Sequence, residues 1–149
     1  MKTVKAFKPV IKQEEYVKLI LYPYTLFVAK LEFKRLFLKP KVLLCAGLLD
    51  MCRSSVLFIN SIPEITDIEV DEESIIPPTV PDSDVRDIIE YEVMRYGIAR
   101  INTWWAPEIE FLEMMRVHKI FYVTEEGGRR YIVDTLTGDK KRLEMKFKA

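Results

Sequence analysis

The chain has 149 residues, of which 49% are hydrophobic and 31% charged, with 23 basic and 23 acidic side chains. That apolar fraction excludes a disordered chain, and the length suits one domain with a substantial core. A formal net charge of zero excludes a global field that would attract nucleic acid or an anionic membrane, so no nucleic-acid partner is expected.

The charges are unevenly placed all the same. Lysines are frequent over residues 2–41, acids dominate residues 64–92 against the single Arg86, and basic residues return with Arg129, Arg130, Lys140, Lys141 and Arg142. The acidic segment is expected to fold back on the basic ones or to be solvated. The first residues alternate lysine with apolar side chains and lack the unbroken apolar stretch of a secretory signal. The longest apolar runs, 19–26 and 42–49, fall well short of the ~20 residues that cross a bilayer. A cytoplasmic protein with no membrane span is the expectation. Cys45 and Cys52 are seven apart, which fits neither a redox pair nor a zinc site, and His118 is the sole imidazole. No metal and no cofactor are expected.

In chain order, residues 12–21 read as a short helix, in which Glu14 and Glu15 lead into Tyr16, Leu19 and Ile20 and Pro23 ends the element. Residues 25–38 read as a long strand, because Phe27, Ala29, Leu31 and Phe33 alternate with Lys30, Glu32 and Lys34. Lys39-Pro40-Lys41 breaks it, since proline lacks the donor that a ladder needs. Residues 42–48 are almost wholly apolar, as a strand covered on both faces would be. Residues 50–54 then turn, and residues 55–60 form a third strand. Residues 62–81 gather four prolines among acids and read as a connector with a short edge strand at 65–70.

A helix follows, capped by Ser83, with Asp84 and Asp87 at its positive end. Val85, Ile88, Ile89, Glu92, Val93 and Tyr96 mark one face, with Glu92 its one polar member, and Gly97 is the expected stop. Residues 108–116 fit either a helix starting at Pro107 or an extension of the strand at 117–124. Glu125-Glu126-Gly127-Gly128 reads as a hairpin turn and residues 129–135 as the returning strand. Residues 136–139 turn again, and Leu143, Met145 and Phe147 alternate as a third strand.

Residues 10–61 and 82–149 thus read alike. They predict, within one domain, an α+β fold of two similar halves, each a helix packed on a three-stranded antiparallel sheet. Laying one half on the other puts Cys45-Ala46-Gly47-Leu48-Leu49-Asp50 over Val133-Asp134-Thr135-Leu136-Thr137-Gly138. The stretch Tyr131-Ile132-Val133-Asp134-Thr135-Leu136-Thr137-Gly138 resembles the signature of PepSY-like domains, an apolar strand running into Asp-Ala-x-Thr-Gly, with Thr135 in place of the alanine. Tyr22-Pro23-Tyr24 resembles the start of the corresponding strand in two-copy relatives. The resemblance implies a second, motif-less copy in the first half, and a module that binds or inhibits proteins.

Catalytic chemistry is not apparent. Gly127-Gly128 is followed by arginines rather than by the Lys-Ser/Thr of a phosphate loop. His118 lies in an apolar strand, and Cys45 lies where a thiolate is disfavoured. Trp104-Trp105 is the feature that points to binding. On an extended segment two neighbours cannot both face inward, so one is expected to cover the core and the other to stand exposed as an interface anchor. The leading reading is a non-catalytic protein- or peptide-binding module, using Trp104 and Trp105 or a free sheet edge, with Tyr131 and Asp134 as further binding residues. A homodimer is also compatible. The alternative is a small enzyme or ligand carrier with a pocket between the halves holding His118, Asp134 and Tyr131.

Overall fold

The structure is a computed structural model and describes residues 1–12 and 15–143. Strand accounts for 54% of it and helix for 16%, so the fold is mostly β. This corrects the α+β expectation. The described residues hold a mixed eight-stranded sheet and a single α-helix, not two helix-on-three-strand halves, and the expected internal duplication falls with them. The strands are β1 (Lys2–Phe7), β2 (Lys18–Arg35), β3 (Leu38–Asp50), β4 (Val56–Ile59), β5 (Ile65–Val70), β6 (Glu108–Glu126), β7 (Arg129–Asp134) and β8 (Lys140–Arg142), with α1 (Asp82–Arg100) between β5 and β6. The chain divides into two compact units, and neither is a continuous half.

The unit that holds α1 comprises Tyr24–Ile62 and Pro78–Arg116. Its strands neighbour one another in the order β4-β3-β2-β6. β2 and β3 are antiparallel from Tyr24↔Asp50 to Phe33↔Lys41, and β4 continues the meander on β3. The period of two puts Phe27, Ala29, Leu31, Phe33, Cys45 and Leu49 on one face, where Val85, Ile89 and Val93 of α1 cover them. Pro81, not Ser83, is the N-cap, and Gly97 does not stop the helix. Gly97 is buried inside α1, where a Cβ would lie 3.0 Å from Phe33 Cζ. Its value is close approach to the sheet, and that outweighs its low helix propensity. Phe27 likewise lies across Gly47, its direct partner on β3, where a Cβ would also meet the Leu57 carbonyl oxygen at 2.9 Å. Pro40 does not break the hairpin. The register shifts between Phe33 and Arg35, and the proline sits at that irregularity, where no ladder donor is required. The hairpin tip holds Phe37 at φ 60°, a left-handed conformation that costs a non-glycine residue ~1–2 kcal/mol.

The other unit comprises Met1–Pro23, Pro63–Pro77 and the chain from Val117. β1 is antiparallel to β5 from Lys2↔Val70 to Phe7↔Ile65 and meets β6 in parallel at Ala6↔His118. β7 is antiparallel to β6, and β8 to β7. Ala6, Leu21, Val70 and Ile120 form its core, with Val4, Leu19, Ile68 and Tyr122 against them. The helix expected over 12–21 is not there: residues 18–21 belong to β2, and residues 13 and 14 lie outside the described residues. Leu19 and Leu21 already start the period of two, and Pro23 is buried within the strand rather than ending an element. Residues 108–116 extend the strand, as one of the two readings had it. Apart from Leu143, the third strand expected through Leu143, Met145 and Phe147 falls on residues 144–149, which lie outside the described residues, and β8 immediately precedes it.

Candidate binding surface at the end of α1

α1 closes with the Ile101 amide donating to the Gly97 carbonyl at 3.0 Å, and residues 102–106 then loop toward β6. The loop is pinned by the Thr103 hydroxyl, which donates to the Lys34 carbonyl at 2.9 Å. Trp104 emerges from this turn 89% exposed and Trp105 46% exposed. The expectation of one inward tryptophan is therefore corrected, since neither is buried. The loop leaves the core at Ile101 and returns to buried packing only at Pro107.

Beside the tryptophans lies a hollow of about 520 Å³ lined by Ile98, Arg100, Trp104 and Trp105 among others. It adjoins a second of about 550 Å³ formed by Phe58, Glu92, Arg95 and Tyr96, and the two share Ile98, Ala99 and Arg100. Arg100 is the hinge of this surface. Its guanidinium lies 3.4 Å from the Tyr96 ring centroid and donates to the Tyr96 carbonyl at 3.2 Å. Tyr96 stacks on Phe58 at 4.1 Å, and Phe58 stands edge-on to the buried Phe27 at 5.9 Å. A ladder of one cation and three rings thus runs from the core to the surface and holds the arginine in place, with each ring pair in a favoured geometry. Phe58 belongs to β4, which among the described residues is paired only with β3. Its free edge is Val56-Leu57-Phe58-Ile59, with Leu57 65% exposed and no charge to guard it.

The other residues singled out in the sequence lie elsewhere. Tyr131 is opposite Thr124 and Asp134 opposite Phe121, so by strand alternation they project from opposite faces. His118 shares the face of Thr124 and Tyr131, with Nδ1 3.1 Å from the Lys5 carbonyl oxygen. The three do not line one concavity. Lys140 Nζ sits 4.7 Å from the Tyr131 ring centroid. Asp134 is engaged by Lys119 and by the turn that follows it. Burial pushes the Cys45 thiol up, partly offset by the charge of Arg100, and a thiolate is disfavoured there. No cluster of three or more metal-ligating side chains occurs among the described residues.

The sequence assigns no binding role to Phe58, Tyr96, Arg100 or Leu57, although Tyr96 falls on the helix face and the strand over 55–60 holds Leu57 and Phe58. The one local signal was Tyr96 four residues before Arg100 on a helix, a spacing that brings the two side chains together. Comparison with family models, curated proteins and solved structures gives no match.

Proposed function

We propose that the protein is a non-catalytic binding module that captures an extended peptide segment of a partner protein. The segment adds as a strand to the free edge of β4, its side chains on the α1 side enter the Tyr96–Arg100 hollows, and Trp104 and Trp105 close over its end. The observation that carries this reading is the continuity of an unguarded apolar edge with a groove rich in tryptophan, tyrosine and arginine. Those residue types dominate binding hot spots, and edge addition supplies main-chain hydrogen bonds that need no particular partner sequence. Arg95 and Arg100 against Glu92 favour a segment with an acidic residue among apolar ones.

Selection of peptides from a displayed library, followed by calorimetry on the best binder, tests it. Trp104→Ala should weaken binding by about tenfold or more, equivalent to ~1.4 kcal/mol. Leu57→Lys, at an exposed position, should weaken it similarly by guarding the edge. Selected peptides that bind both variants as tightly as the wild type would remove the assignment. A dimer in sedimentation that Leu57→Lys dissolves would make a second copy of the chain the occupant of the same edge.

A further inference from the structure

The tip of the β2–β3 hairpin presents a different kind of surface. Leu36, Phe37 and Leu38 are consecutive and 57%, 97% and 63% exposed. A tight hairpin turn ordinarily carries Asn-Gly or Gly-x, whose backbones accept positive φ at little cost. Here a phenylalanine takes the left-handed position, and its ring is almost wholly outside the protein. Lys34, Arg35, Lys39 and Lys41 flank it, all exposed, and residues 33–41 contain no acid. Arg35 Nε donates to the Lys39 carbonyl at 2.9 Å, which ties the two arms together below the tip. Lys34 faces Glu108 at 4.0 Å, but both side chains are more than two-thirds exposed, so the cation remains open to other anions. Glu32, Glu108 and Glu110 lie together in a shallow hollow with Lys30, on the strands behind the tip.

We propose that this hairpin is a membrane-surface anchor. Leu36, Phe37 and Leu38 enter the headgroup–acyl boundary of a bilayer, and Lys34, Arg35, Lys39 and Lys41 pair with anionic lipid headgroups. A partner protein would need a pocket shaped to a protruding tip, whereas a fluid bilayer accommodates a convex apolar knob without a matching shape. The girdle of cations immediately behind the apolar residues matches a bilayer in which negative charge lies above hydrocarbon. The zero net charge of the chain is no obstacle, because attraction of this kind decays within a Debye length and only the local basic cluster counts. The anchor uses residues distinct from those of the peptide groove and would hold that groove at a membrane surface.

Co-sedimentation of the full chain with vesicles tests it, using phosphatidylcholine alone and phosphatidylcholine with about 30% phosphatidylserine. The wild type should sediment with the anionic vesicles only, and added salt should release it. Phe37→Ser should reduce partitioning about tenfold, and Lys39→Gln with Lys41→Gln about tenfold to thirtyfold. All these positions are exposed, and an unchanged thermal melt confirms that each variant folds. Trp104→Ala should retain vesicle binding while losing the selected peptide, and Phe37→Ser should show the reverse. No sedimentation of the wild type would overturn the anchor, and equal sedimentation of Phe37→Ser would do the same. Loss with Trp104→Ala but not with Phe37→Ser would move the contact away from the hairpin and overturn it too.

Discussion

The two oxygens of the Asp134 carboxylate do separate work. Oδ1 accepts the Leu136 amide at 2.9 Å and the Thr137 amide at 3.3 Å, while Oδ2 meets Lys119 Nζ at 2.5 Å with both side chains largely buried. Burial by itself pushes this carboxyl up. The hydrogen bond from Lys119, its charge and the two amides outweigh burial and hold the group below the ordinary carboxylate value. A folded value lower than the unfolded one stabilises the fold above the unfolded value, near ~3.9, and that stability is lost as pH falls through the folded value. Asp134→Asn keeps an oxygen for the turn but leaves Lys119 without its counter-charge. It should cost about 1–3 kcal/mol in denaturant unfolding at pH 7, and the gap to wild type should close as pH falls below ~3.9. A gap that stays constant into acid would mean that Lys119 draws nothing from the pair. The turn role of Asp134 was legible in the sequence, because aspartate four residues before glycine is local chemistry. Lys119 was not legible, because only the β6–β7 register brings it near.

Two turns in the protein are built alike. Asp50 Oδ1 accepts the amides of Cys52 and Arg53, and the Ser54 amide donates to the Asp50 carbonyl. Asp134 does the same for Leu136, Thr137 and Gly138. The match sets Asp50 on Asp134, not Cys45 on Val133 as the sequence overlay had it, and the likeness ends at the turn. The fifth residue has positive φ in both, 59° at Ser54 and 79° at Gly138. Glycine meets that demand without strain and serine does not. Ser54→Gly should therefore stabilise the protein by about 0.5–1 kcal/mol, less than the full conformational penalty because glycine also loosens the unfolded chain. A lower midpoint in urea would show that the Ser54 side chain holds the turn in some other way. Turns such as Gly127-Gly128 were legible for the same local reason. The helix over 12–21 misled because Tyr16, Leu19 and Ile20 fit a helical period over one turn, while the period of two becomes plain only when Leu19 and Leu21 are read on into Phe27 and Phe33.

Across the whole chain the hidden quantity was strand order. Alternation identifies which residues face a core, but not which strand lies beside which, and two long strands joined by distant pairings were read as two local meanders. The same distinction governs folding. β2, β3 and β4 pair with their neighbours in sequence, so the helix-bearing unit starts from short loop closures. β1 must find β5, as in Lys5↔Asp67, and β6, as in Ala6↔His118, before Val4 and Ile68 can pack. Each closure over a long loop costs entropy before any contact offsets it, so refolding is expected on the order of milliseconds to seconds. Val56→Ala in β4 and Val4→Ala in β1 remove similar partly buried groups from the two cores. If the meander nucleates folding, Val56→Ala should slow refolding by about threefold to tenfold and barely alter unfolding. Val4→Ala should leave refolding nearly unchanged and speed unfolding by a similar factor. Stopped-flow folding and unfolding limbs separate the two, and a refolding rate that falls with Val4→Ala instead would place the long-range β1 pairings in the rate-limiting step.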